Sequence, residues 1–281
     1  MNETNPRRIS ELPPPKPAFV ARRGTQIRSG WTSDRISLAF LAAMLPSLGI
    51  ALFADSGSDV LPILSVTLAT IFAWQILFGL TRGSLVGWDG VVAALAISLL
   101  LPLSASPWET SLAASAGIVL GELVFGGRGR SFLNPAIVCL AFFSFSFPAS
   151  AATASANLDI WPVILGGGIL LVFRLVSWRV LLAGYIGLSL AAWLSGSMDT
   201  DTILSPAFAF ALLFLGAEPV SAAATRPGRW IYGFLIGVLT ILFGGGASVV
   251  FAILLGSIFA PLIDQGAVWA IRHQTSRPWL N

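Results

Sequence analysis

Beyond residue 35, lysine and arginine occur in only five places: Arg82; Arg128 and Arg130; Arg174 and Arg179; Arg226 and Arg229; Arg272 and Arg277. Between successive places lie two apolar stretches, each near the length at which a helix crosses a bilayer. They run Ile36 to Phe53, Val60 to Leu80, Leu85 to Leu103, Ser111 to Phe125, Leu133 to Phe147, Ile160 to Val176, Val180 to Leu194, Ile203 to Val220, Trp230 to Phe243 and Ser248 to Ile271. The alternate junctions hold no basic residue. They carry Asp55 and Asp59, Glu109, Asp159, Asp199 and Asp201, and finally the neutral run Gly244 to Ala247. All 16 basic residues thus fall on one side, and the positive-inside rule makes both termini cytoplasmic. The spacing predicts an all-α polytopic membrane protein: a basic tail over 1–35, about ten transmembrane helices over 36–271 and a short cytoplasmic tail over 272–281.

Composition agrees. Apolar residues make up 56% and charged residues 10%, against about 25% charged in soluble domains. A single cysteine, Cys139, and a single histidine, His273, exclude disulfide scaffolds, Cys/His zinc sites, bis-histidine haem and cysteine-ligated iron–sulfur clusters. The tail combines Arg7, Arg8, Lys16, Arg22, Arg23, Arg28 and Arg35 with Pro13, Pro14, Pro15 and Pro17, and has no apolar core of a signal peptide. It reads as a topological anchor at the cytoplasmic face rather than a nucleic-acid or specific lipid site.

Five spans per half is an odd number, so homologous halves would lie inverted relative to each other. Asp89 precedes Pro102 by 13 residues and Gly126 by 37, while Pro206 precedes Pro219 by 13 and Gly244 by 38. Pro107 and Pro227 fall in between. Each half is expected to hold one helix ending in a proline-broken turn, then one ending in Gly-Gly. Gly166, Gly167, Gly168, Gly184 and Gly187 are expected to let helices approach closely.

Carboxylates within a bilayer cost about 2.5–3.5 kcal/mol at its centre, so they are candidates for function. Glu122, inside the fourth span, is the candidate ion-path carboxylate, with a helix-packing hydrogen bond as the alternative. Asp89, Glu218 and Asp264 lie toward the cytoplasmic interface, where local pairing or helix capping competes with a cation or cofactor role. Asn134-Pro135 has the form of a helix N-cap. The Gly126-Gly127-Arg128-Gly129-Arg130 turn before it is a natural seat for an anion or phosphate, without the lysine and hydroxyl of a P-loop.

Three stretches together resemble the membrane subunits shared by the Na+-translocating NADH:quinone oxidoreductase (NqrB) and the Rnf electron-transport complex (RnfD). They are Asp89-Gly90 with the leucine-rich run to Pro102; Phe125 to Ala136, followed by Ser146-Phe147-Pro148; and Ala217 to Ala222 with Gly228-Arg229, Gly237-Val238 and Pro261 to Asp264. The resemblance implies a bacterial inner-membrane subunit that passes electrons through flavin while a multi-subunit complex moves Na+ or H+. Usual members hold FMN by a phosphoester bond to the threonine of a Ser/Thr-Gly-Ala-Thr motif between spans five and six. The corresponding stretch is Ser150-Ala151-Ala152-Thr153-Ala154, in which alanine stands for the glycine and the preceding Asp is missing, so Thr153 is the candidate attachment site. Thr225, in a superficially similar run, aligns elsewhere and lies on the wrong side. Asp89, Asn134 and Glu218 match membrane-core positions, with Glu218 replacing the commoner Asp. With no Rossmann fingerprint and no cysteine ligands, catalysis would be shared with NAD(P)H-oxidising and iron–sulfur partner subunits. Two rival readings stand beside this one: a small-solute channel or transporter, and a flavin-free docking subunit for redox partners.

Overall fold

A computed structural model describes residues 33–53, 57–82, 87–127, 131–151, 158–196 and 200–275. Regular structure among them is entirely helical: α1 (Ser33–Phe53), α2 (Gly57–Arg82), α3 (Asp89–Leu100), α4 (Pro107–Ile118), α5 (Pro135–Ser146), α6 (Pro148–Ala151), α7 (Ile160–Val172), α8 (Trp178–Ser195), α9 (Thr200–Ile203), α10 (Pro206–Phe210), α11 (Arg226–Phe243) and α12 (Ser248–Thr275). Two π-helical turns extend this set, Val119–Leu123 after α4 and Ala211–Gly216 after α10.

Each expected apolar stretch holds one of these helices, and the boundaries follow the capping chemistry. Asn134 Oδ1 accepts from Ala136 N at 2.8 Å and starts α5. Thr225 Oγ1 accepts from Gly228 N at 3.1 Å and starts α11, and Ser205 caps α10. Prolines occupy the first turn of α4, α5, α10 and α11, where their missing N–H costs nothing. The one-turn helices α6 and α9 add to the expected set, being too short to show a period in sequence.

Among the described residues four helices are long and apolar enough to cross a membrane alone, within Asp34–Phe53, Val60–Thr81, Trp178–Ser195 and Ser248–Ala270. The expected third and eighth spans are much shorter than their apolar stretches. Helix α3 has 12 residues and reaches about 18 Å, little more than half of a bilayer core. Helix α10 with its π turn, Pro206 to Gly216, is shorter still. Pro102 stops the first and the Gly216-Ala217-Glu218-Pro219 break stops the second, so the chain beyond each is non-helical, with Leu101 and Ala217 buried and Val220 exposed.

Packing in the two halves follows one scheme. Helix α4 lies between α2 and α5, as α11 lies between α8 and α12. Helix α3 packs on α1, α2 and α5; the α10 segment packs on α7, α8 and α12. The α1–α2 contact has no comparable α7–α8 counterpart. The halves meet through α1 on α7, α3 on the π turn after α10, and α5 on α12.

Lipid is as apolar as leucine, so such helices are held by close approach and hydrogen bonds across their contacts. Trp74 Nε1 donates to Ser115 Oγ at 2.9 Å and Thr70 Oγ1 to Ser111 Oγ at 3.2 Å, tying α2 to α4. Helices α8 and α11 meet at glycines. A Cβ at Gly187 would strike the Phe234 backbone, and one at Gly237 the Gly184 carbonyl and the Leu188 amide. Gly166 abuts the Ala43 carbonyl on α1, and Gly167 the Leu213 side chain. Gly168 departs from expectation, since a Cβ there meets nothing within 4 Å. Gly237→Leu is therefore expected to destabilise the protein by about 3 kcal/mol or more, because backbone cannot yield as a side chain does. Gly168→Ala should be neutral, and thermal unfolding of the two variants in detergent measures the contrast.

Candidate functional site

Four residues singled out from the sequence line one cavity. Asp89 comes from the first turn of α3, Glu122 from the π turn after α4, Asn134 from the cap of α5, and Glu218 from the break after Gly216. Ile36, Ser37 and Phe40 of α1, with Phe214, Leu215 and Ser221, complete much of the wall. The cavity has a water-accessible volume of about 50 Å³, room for a few waters or a small hydrated cation. A planar cofactor needs several hundred.

Local sequence explains the convergence. Gly117 of α4 and Gly121 of the π turn after it touch α5, where a Cβ would meet the Pro135 backbone. That approach brings the Asn134 cap beside the last turn of α4. Glu122 lies there, 6% exposed, in a π turn closed by Val124 N to Val119 O at 2.9 Å. Single π turns inside α-helices recur at functional sites. Gly126 and Gly127 follow with φ of 100° and 91°, a conformation that favours glycine and turns the chain out of the helix.

Asn134 serves two neighbours. Its Oδ1 caps α5, and its Nδ2 donates to Glu218 Oε2 at 2.5 Å, fixing the amide orientation and holding a carboxylate from the other half of the chain. Ser221 Oγ donates to Leu215 O at 3.5 Å, and Ala222 N to Glu218 O at 3.0 Å, folding the segment after Glu218 back on the π turn. Asp89 lies in the first turn of α3, where its charge also complements the helix dipole. Among the described residues no three His, Cys, Asp or Glu are grouped to hold a metal ion.

Asp264 is not part of this cavity's lining. Its carboxylate accepts from Ala224 N at 2.7 Å, from Thr225 N at 3.0 Å and from Thr225 Oγ1. Arg128, Arg130 and Thr153 lie outside the described residues. Near the last of these, Ser150 Oγ donates to Glu109 at 3.3 Å, and Glu109 Oε2 accepts from Ser106 N at the start of α4. Pro148 and Ala151 also border an open cavity of about 470 Å³ with Phe243, Gly244 to Ser248 and Phe251, within the range that planar cofactors occupy. Ser37, Phe40 and Ser221 also line the acidic cavity, and none of them is singled out by the sequence. Ser221 lies within the Ala217 to Ala222 stretch, whereas Ser37 carries no mark beyond being a polar residue near the start of an apolar span.

Comparison with known proteins gives the family. The model of the NQR2, RnfD, RnfE family matches residues 20–162 and 155–270. The chain belongs to this family. Curated relatives named as the NqrB component of Na(+)-translocating NADH-quinone reductase include one from Chromohalobacter salexigens, 29% identical over 86% of this chain and 73% of the relative. Another, from Ectopseudomonas mendocina, is 31% identical over 80% and 71% respectively. A third, from Azotobacter vinelandii, is 29% identical over the same shares. The two family matches overlap at residues 155–162, which include the first residues of α7.

Proposed function

We propose that this chain is a bacterial inner-membrane subunit of an Nqr/Rnf-like electron-transport complex, and that its acidic cavity admits the transported cation, Na+ or H+, from the cytoplasmic side. The convergence of Asp89, Glu122, Asn134 and Glu218 from four separate segments on a cavity of cation size carries this reading. The names of the relatives support the complex. NAD(P)H-oxidising and iron–sulfur subunits would be its partners, since the chain has one cysteine and one histidine.

The chain crosses the bilayer ten times in two inverted five-helix halves, with both termini cytoplasmic. Contacts between junctions support this arrangement. The cavity joins residues next to the basic junctions: Ile36, Asp89, Glu122, Asn134 and Glu218. On the other side Glu109 accepts from Ser150, Trp108 meets Phe147 edge to face with ring centroids 5.2 Å apart, and Ala151 shares a cavity with Gly244. The parallel packing schemes, and the positive φ of both Gly126-Gly127 and Gly244-Gly245, support the repeat.

FMN attaches at Thr153, two residues along the chain from Ala151, which borders the 470 Å³ cavity; that cavity is of flavin size, and at Gly244, Gly245 and Gly246 a Cβ would find nothing within 4 Å. Bound flavin would supply electron transfer. Arg128 and Arg130, on the opposite face, would neutralise an anionic group at the glycine turn. Thr153→Ala is expected to abolish the covalent flavin mass and in-gel fluorescence while leaving the chain folded; an unchanged adduct would remove the site. In proteoliposomes of the assembled complex, redox turnover should drive cation uptake, and Glu218→Gln should lower it. Unchanged uptake and Na+ dependence in that variant would return the cavity to packing.

A further inference from the structure

By sequence Asp264 groups with the ion-path carboxylates, and its geometry points elsewhere. We propose that Asp264 is a positioning residue, which ties the chain segment bearing Glu218 and Ser221 to α12 and thereby fixes one wall of the acidic cavity. The inference rests on the reading of that cavity as a cation site.

A carboxylate has about four lone-pair sites. Three of those on Asp264 are taken by this chain's own donors: the amides of Ala224 and Thr225 and the Thr225 hydroxyl. That hydroxyl gives its only hydrogen to Asp264 and accepts from Gly228 N, so the carboxylate also orients the cap of α11. Gly228 has to be glycine, because a Cβ there would strike both Asp264 Oδ1 and Thr225 Oγ1. Arg229 Nε closes the same turn on Ala223 O at 3.2 Å. The segment from Glu218 to Thr225 is thus held at both ends: by Asn134 and Leu215 at the cavity, and by Asp264 at the foot of α11. Releasing the Asp264 anchor frees the segment from α12 and leaves its far end held by α11 alone, through Arg229 Nε on Ala223 O and the chain itself.

The test compares Asp264→Ala and Asp264→Asn in the assembled complex, by amide hydrogen exchange over residues 218–225 and by Na+ titration of turnover. Asp264→Ala should speed exchange at Ala224 and Thr225 by about tenfold or more, the worth of a bond to a charged acceptor. It should also raise the Na+ concentration for half-maximal turnover several-fold. Asp264→Asn keeps the Oδ1 acceptor of both Thr225 bonds, so Thr225 stays protected and the Na+ midpoint stays within about twofold of the parent. Unchanged exchange in Asp264→Ala overturns the proposal, as does an equal shift of the Na+ midpoint by both variants, which marks a direct cation ligand. Glu218→Gln separates the two readings. If it shifts the Na+ midpoint and Asp264→Ala does not, positioning fails; if neither shifts it while exchange rises, the cavity reading fails and the tie to α12 stands.

Discussion

Glu122→Gln is expected to slow turnover of the assembled complex about 10- to 100-fold and to weaken its dependence on Na+. The factor corresponds to about 1.5–3 kcal/mol, the worth of an interaction with one charged group. Glutamine matches glutamate in shape, so the π turn of Val119–Leu123 and its contact with α5 survive and only the charge is removed. Glu122 is 6% exposed and a carboxylate is costly to ionise in a bilayer, so the proposed cation role rests on its charge and not on its shape. Steady-state rates against Na+ concentration, with thermal unfolding as the control for folding, provide the measurement. A variant with wild-type rates and Na+ dependence would show that Glu122 serves packing.

The second large effect is expected at Asn134, where cap and donor can be separated. Asn134→Leu removes both. It should cost about 1 kcal/mol in stability for the lost cap and should lower turnover about 10- to 100-fold through Glu218. Asn134→Ser keeps a good cap without the reach to Glu218, so stability should hold while turnover falls. Asn134→Asp also caps α5, but sets a second carboxylate against Glu218 and should be the slowest of the three. If Asn134→Ser behaves as wild type in turnover, the Asn134–Glu218 bond has no part in function. If turnover across the series follows stability alone, the residue is only a cap.

Much of the architecture is legible in the sequence because arginine is expensive in lipid. The alternation of basic and acidic junctions divides the chain near the positions where its longer helices begin and end, and Asn134 and Pro135 mark the start of α5 by known capping chemistry. Helix length is not legible. Leucine-rich residues around α3 and α10 are equally apolar in helix or in extended chain, so only Pro102 and Pro219 hint that these elements stop early. The π turns have no composition of their own: Val-Leu-Gly-Glu-Leu reads as ordinary helix.

The site is legible as a set of costly residues but not as a grouping. Asp89, Glu122, Asn134 and Glu218 meet because glycines on α4 and its π turn admit the Pro135 backbone and because the two halves interlock, and neither relation is written in linear spacing. Asp264 looks equivalent to the others in sequence, since a carboxylate beside a proline break gives the same signal whether it faces an ion or three donors of its own chain. Gly168 likewise shares the composition of Gly166 and Gly167 while facing open space.

Cation entry at the cavity requires Asp89, Glu122, Asn134 and Glu218 to share the membrane face that carries the arginines. Single cysteines at positions 128 and 159, introduced in turn, test that arrangement by labelling intact and permeabilised cells with an impermeant maleimide; the native Cys139 is buried. Asp159→Cys should label from outside in intact cells, and Arg128→Cys only after permeabilisation. Labelling of both from the same side would contradict the ten-crossing arrangement and the cytoplasmic cavity with it.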